Sequence, residues 1–216
     1  MSNAKPNLVF FEKWADPIGE KIIADAGGIE LTRMRFADSE GSLATIRSAH
    51  GFHMSPAVET PDMYYPGRAL IESCERLLAL SSTGAGYDIV DVDAATDNGV
   101  VLFNQTGSNS QSVAEHVVGM VIALSKNIGQ TDKLMRRRSD YHRDDVAGTE
   151  ISDKTIGIIG LGNIGRLTAR MLGQGFNMRV IACDPYLDEA TCRERGAEKK
   201  GFDEVLAEAD FITVHT

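Results

Sequence analysis

The hexapeptide Gly160-Leu161-Gly162-Asn163-Ile164-Gly165 constrains the fold more than any other part of this 216-residue chain. It stands between an apolar run, Thr155 to Ile159, and a helix-compatible stretch, and Asp184 follows nineteen residues after Gly165. Three glycines at this spacing, leaving a strand and opening a helix, with an acid at that distance, make a dinucleotide-binding fingerprint. Gly160 permits the sharp turn out of the strand, Gly162 lets backbone approach a pyrophosphate, and Gly165 lets the helix lie close on the strand. The unpaired amides at the helix start, around Asn163 and Ile164, then face the phosphates. Asp184 closes a second strand-like run, Met178 to Cys183, where its carboxylate can accept hydrogen bonds from both hydroxyls of an adenosine ribose. A phosphate on that ribose would be repelled, so NAD is expected rather than NADP.

The first hundred residues alternate strand-like and helix-like segments. Leu8 to Phe11 precedes Ile18 to Ala26, and Ile29 to Met34 precedes Leu43 to Ala49. The rhythm continues through Ala69 to Arg76, an apolar strand at Leu77 to Leu80, a glycine turn at Gly84-Ala85-Gly86, and a strand at Val100 to Phe103. Such alternation points to a small doubly wound α/β domain. Ser112 to Asn127 reads as a long helix whose Val113, Val117, Met120, Val121 and Leu124 form a buried stripe, placed at the junction of two domains. After a polar stretch from Asp132 to Asp145 comes the fingerprint unit, followed by helices at Asp188 to Arg195 and Phe202 to Glu208 and a final strand, Phe211 to His215. Three strands of a dinucleotide fold are expected here where two mononucleotide halves supply about six, so the sequence looks truncated.

Charge and cysteine content narrow the class. Twenty-two basic against 31 acidic residues give a net charge of −9, which disfavours polyanionic partners such as nucleic acid or acidic membrane surfaces. Cys74, Cys183 and Cys192 are odd in number and lack the close pairing of a zinc site or disulfide framework, which suits a reducing cytoplasm. The longest apolar run, Val117 to Leu124, is far short of the roughly 20 residues of a membrane span, and no basic n-region with a small-residue cleavage site opens the sequence, so export is not expected. Ser2-Asn3-Ala4 carries no structural weight.

Four patches together resemble the NAD-dependent D-isomer specific 2-hydroxyacid dehydrogenase family, phosphoglycerate dehydrogenase-like. They are Ser82 to Asp88, Asn104 to Gly107 leading into Ser112-Val113-Ala114-Glu115-His116, Gly157 to Arg166, and Asp210 to Thr216. The resemblance implies a flavodoxin-like substrate domain over residues 1–106, lacking its C-terminal return segment, and a partial Rossmann domain, a doubly wound parallel sheet that binds NAD, over 107–216. It implies hydride transfer between NAD and a small D-2-hydroxy or 2-oxo acid in a cleft between those domains, in a cytoplasmic homodimer, with the helix after Ser112 a candidate dimer surface. It gives substrate-carboxylate binding to the amides of Ala85 and Gly86, a cofactor contact to Ala85, and positions against the cofactor to His215 and Thr216. Adjacent N–H groups in a glycine-rich turn do form an anion-binding concavity; without the resemblance, Gly84-Ala85-Gly86 reads as an ordinary strand-to-helix turn.

The family's catalytic arginine, glutamate and histidine are expected beyond Thr216, so no catalytic residue is assigned within the chain, which is expected to bind NAD but turn over poorly. Two residues depart from the family pattern. Asn163 stands where many members carry a basic residue, leaving the pyrophosphate to backbone amides and the helix dipole, and Thr106 replaces a proline common between Asn104 and Gly107. Among in-chain substitutes, Glu115 and His116 are successive helix residues that do not face one another, so His116 is expected to pack or to lie in an interface. His50, His53 and His142 lack the spaced partners of a metal site. Arg136-Arg137-Arg138, with acids close behind, reads as a solvated helix face. Two alternatives stay open: an NAD-sensing, non-catalytic scaffold of the corepressor type, and another Rossmann enzyme such as an amino-acid dehydrogenase, which leaves the Gly84-Ala85-Gly86 turn unexplained.

Overall fold

A computed structural model describes residues 5–14, 16–55 and 59–216; Ser2-Asn3-Ala4 lies outside them. The chain divides into two compact units, Met1–Ser108 and Asn109–Thr216.

The first unit runs β1 (Asn7–Phe11), α1 (Pro17–Ala26), β2 (Glu30–Met34), α2 (Ser39–Ser48), β3 (Gly51–Met54), α3 (Arg68–Glu72), β4 (Ala79–Ser82), α4 (Val92–Asp97) and β5 (Val101–Phe103). Three of these helices, α1, α2 and α4, start where an aspartate side chain meets an orphan amide. The Asp16 carboxylate accepts from Ile18 N at 2.9 Å with Pro17 at the first helical position, and Asp91 accepts from Ala94 N at 2.8 Å. All strand pairings are parallel, in the order β2-β1-β3-β4-β5, the flavodoxin-like arrangement. β3 is buried at all four positions, so it shows none of the alternation that marks a half-exposed strand. The core is aromatic around Phe11, whose ring lies 4.3 Å from Phe36 and 4.4 Å from Tyr64.

The second unit comprises α5 (Ser110–Ser125), α6 (Ile128–Arg137), β6 (Thr155–Ile159), α7 (Asn163–Phe176), β7 (Arg179–Cys183), α8 (Glu189–Glu194), β8 (Glu198–Lys199), α9 (Phe202–Glu208) and β9 (Phe211–Val214). The sheet is parallel, in the order β8-β7-β6-β9. Four strands are present, not three: Glu198 and Lys199 pair with Ile181 and Ala182, a two-residue strand formed by tertiary pairing. That order matches four consecutive strands of the Rossmann arrangement, and it reverses direction between β6 and β9, the position where open sheets of this class hold ligands.

In α5 the buried residues are Ser110, Ala114, Val121 and Ser125, while Val118 and Ile122 pack partly against the core. Met120 and Leu124, expected in the buried stripe, are 51% and 67% exposed; the buried face is rotated toward the small residues that let α5 lie close to α7. Among the described residues no helix is long and apolar enough to cross a membrane.

Candidate functional site

The fingerprint loop sits where β6 gives way to α7. Gly160 has φ +89°, and a Cβ there would lie 2.4 Å from His215 O. Gly165 is closed in likewise, since its Cβ would lie 2.3 Å from Gly160 O. These contacts press strand, loop and helix into one block. At Gly162 a Cβ would meet nothing within 4 Å, and no side chain caps the start of α7. Uncapped amides at Asn163 and Ile164 beside open space form the cradle a pyrophosphate requires.

Asp184 completes this edge. Its Oδ2 accepts from Leu161 N at 2.9 Å and its Oδ1 from Tyr186 N at 3.0 Å. The carboxylate thus ties the glycine loop to the end of β7, and each oxygen retains a lone pair for a ribose hydroxyl. Arg195 adds a brace, its Nη1 donating to Leu161 O at 2.7 Å. From the other side, His215 N donates to Ile159 O at 2.7 Å, which sets His215 and Thr216 beside the turn at Gly160. The His215 ring shares a 3.0 Å hydrogen bond with Thr213 Oγ1, and burial lowers its pKa, favouring neutral imidazole. The fold therefore gathers Gly160, Gly162, Asn163, Ile164, Asp184, His215 and Thr216 on one edge of the second sheet. Thr213 and Arg195 are additions that sequence reading missed; only Thr213, two residues from His215 on the same strand face, carries a periodic signal.

Ala85 and Gly86 belong to the first unit, in the turn after β4. Here side chains do the holding. Gly84 N donates to Gln105 Oε1 at 3.0 Å, and Gly84 O accepts from Gln105 N at 2.8 Å. The Asn104 amide donates to Ala85 O at 3.0 Å, and Ser82 Oγ to Gly86 O at 2.6 Å. All three turn carbonyls are engaged, whereas among the described residues the N–H groups of Ala85 and Gly86 meet no acceptor. Two adjacent free donors next to a cavity of about 250 Å³ can take a carboxylate.

Beneath this turn lies His53, 5% exposed. Its ring stacks on Trp14 at 4.1 Å and 10°, with Nδ1 3.0 Å from Ser81 Oγ and Nε2 3.0 Å from Thr83 Oγ1. Burial lowers its pKa to about 4, so the ring is neutral at pH 7 and bridges two hydroxyls on β4 and its exit. The other histidines are elsewhere. His50 accepts from Asn7 N at 3.1 Å, His142 caps a 3₁₀ turn, and His116 is exposed on α5, so it does not pack within its own unit. Among the described residues no cluster of three His, Cys, Asp or Glu is placed to hold a metal.

Fold and loop together define the second unit as a dinucleotide-binding domain of the doubly wound α/β class. Residues 118–216 match the family model described as D-isomer specific 2-hydroxyacid dehydrogenase, NAD binding domain. The D-3-phosphoglycerate dehydrogenase of Mycobacterium leprae is 41% identical over 202 residues, covering 93% of this chain and 37% of that protein. The Homo sapiens protein of the same name is 32% identical over 217 residues, covering 100% of this chain and 39% of that one. Among solved structures, the NAD-dependent formate dehydrogenase from Staphylococcus aureus in complex with NAD superimposes with a TM-score of 0.77 at 26% identity, covering 97% of this chain and 65% of that one. The chain belongs to the D-isomer specific 2-hydroxyacid dehydrogenase family. It spans less than two fifths of the length of these curated relatives.

Proposed function

We propose that this protein serves reversible hydride transfer between NAD and a small D-2-hydroxy or 2-oxo acid, the first unit (1–106 by sequence) holding the acid and the second (107–216) the dinucleotide. The observation that carries this reading is the pair of N–H groups at Ala85 and Gly86 that meet no acceptor among the described residues, in a turn whose three carbonyls all accept hydrogen bonds. The α7 amides at Asn163 and Ile164 would hold the diphosphate, Asp184 the adenosine ribose, and His215 and Thr216 would lie alongside. Bound NAD would supply the hydride chemistry; the chain's own part is to orient the acid and to exclude a phosphorylated ribose by the charge of Asp184. Relatives named D-3-phosphoglycerate dehydrogenase support the reaction class.

Calorimetric titration with NAD and NADP tests this reading. A clear preference for NAD is expected, and equal affinities would remove the role given to Asp184.

The exposed Met120 and Leu124 on α5, with Ile128 beside them, support α5 as the contact surface of a homodimer. Leu124→Glu is expected to shift the molecular mass found by light scattering from dimer to monomer; an unchanged mass would place the contact elsewhere. The three unpaired thiols and the acidic surface fit a cytoplasmic protein whose partners are small acids rather than nucleic acid or membranes.

A further inference from the structure

β3 carries one polar side chain where packing alone would be served by an apolar one. His53 stands between Phe52 and Met54, and all three are at most 5% exposed. Its register against β4 sets it beside Ser81, and the pairing runs on to Thr83, whose N–H donates to Met54 O at 2.9 Å. Trp14, stacked 4.1 Å away, fixes the plane of the imidazole. Both ring nitrogens are taken up by hydroxyls, Nδ1 by Ser81 Oγ and Nε2 by Thr83 Oγ1, each at 3.0 Å. Apolar side chains at all three positions would fill this space without burying polar atoms. Thr83 sets the cluster apart from a purely internal network, because it also lines the cavity of about 250 Å³ at the glycine turn, together with Ala85 and Gly86.

We propose that His53 is a positioning residue of the acid site, holding the Thr83 hydroxyl to meet an oxygen that the ligand carries beyond its carboxylate. This rests on the carboxylate reading of the turn given above. Burial keeps the imidazole neutral at pH 7, and a neutral imidazole has one N–H and one lone pair. With the proton on Nε2, the ring donates to Thr83 Oγ1, Ser81 donates to Nδ1, and the threonine proton is free for the carbonyl of a 2-oxo acid. With the proton on Nδ1, the ring donates to Ser81 Oγ and Nε2 takes the threonine proton. The Thr83 oxygen is then an acceptor, suited to the hydroxyl of a 2-hydroxy acid. Each tautomer keeps both internal hydrogen bonds, so the cluster can serve the oxidised and the reduced acid without a shift of any heavy atom.

The test titrates the full chain with pyruvate, D-lactate and propanoate, following the Ala85 and Gly86 amides and the ring ¹⁵N shifts of His53. Propanoate offers a carboxylate alone, so it should perturb the two amides and leave the ring unmoved. Pyruvate should also drive the ring toward the Nε2–H tautomer, and D-lactate should do so less. Thr83→Val should weaken pyruvate roughly fivefold, the effect of one uncharged hydrogen bond, with propanoate unchanged, and Thr83→Ser should restore it. His53→Leu should weaken pyruvate in the wild-type background and add nothing to Thr83→Val; should that variant fail to fold, the ring shifts and the two Thr83 variants decide. If pyruvate moves the amides but not the ring, and binds Thr83→Val as tightly as wild type, the role of His53 is overturned and the carboxylate reading stands. If none of the three acids moves either amide, the carboxylate reading itself falls and this inference with it.

Discussion

Two glycine segments, Gly84–Gly86 in the first unit and Gly160–Gly165 in the second, whose backbone amides are proposed to take an anion, are held in different ways. The glycines of the loop after β6 are closed in by backbone, Gly160 against His215 O and Gly165 against Gly160 O, and the side chains of Asp184 and Arg195 grip it only at Leu161. The turn after β4 is fixed by side chains of Gln105, Asn104 and Ser82, and Thr83 at its base rests on His53. Backbone packing leaves no room for change, whereas side-chain bracing can be tuned one hydrogen bond at a time. A diphosphate is the same in every reaction a dinucleotide serves, while the acid differs, and the two constructions match that difference.

The sharpest way to break this contrast is a paired substitution. Gly165→Ala sets a methyl 2.3 Å from a backbone oxygen, so the second unit is expected to lose roughly 3 kcal/mol of stability. Gly86→Ala meets only Asp88 Oδ2 at 3.6 Å, an ordinary contact, and is expected to change stability by less than about 0.5 kcal/mol. Urea denaturation followed by circular dichroism measures both, and equal losses would erase the distinction.

Nearly as large is a pH effect confined to the first unit. The pKa of His53 in the folded chain, about 4, lies below its ordinary 6.5, so between these values the unfolded chain takes a proton that the folded one refuses. Stability contributed by neutral His53 is therefore present above pH 6.5 and lost as pH falls toward 4, by about 3 kcal/mol across the window. His53→Gln should flatten that slope in denaturation curves at pH 7 and 4.5; an unaltered slope would show that another group carries it.

Asp184→Asn is expected next in size. It removes the charge that repels a ribose phosphate and weakens the anchor on Leu161 N, so NAD binding should fall by about 1–2 kcal/mol while the preference over NADP shrinks. Smallest is Gln105→Ala, which releases Gly84 N and loosens the turn. Affinity for pyruvate should drop by about 1 kcal/mol with no change in NAD affinity, and calorimetry with each ligand separates the two.

Much of this architecture was legible in the residues. The β6-loop-α7 unit is specified locally, by glycines whose spacing has one steric solution, and the flavodoxin-like rhythm of the first unit follows from alternating apolar runs. What escaped notice depends on partners distant in sequence. β3 is a four-residue strand buried on both faces, with His53 interrupting its apolar run, so it has no period to read. β8 consists of two charged residues that become a strand only beside Ile181 and Ala182. α4 is an exception, for Asp91, bonding to Ala94 N, is an ordinary local helix-start signal. The bracing of the turn was out of reach for a related reason: His53 meets Ser81 and Thr83 only because β3 and β4 pair in the register His53↔Ser81, and register between parallel strands is a property of the whole sheet. The exposure of Met120 and Leu124 was hidden because an apolar stripe looks alike whether it is covered by its own domain or left open.

The double tether of Asp184, to Leu161 on one side and Tyr186 on the other, has a kinetic consequence. A phosphate loop already in its working shape spends no conformational entropy when the dinucleotide arrives. Association should then run at the ordinary pace of unhindered encounter, nearly the same for NAD and NADP, and selectivity between them should be written almost wholly in residence time.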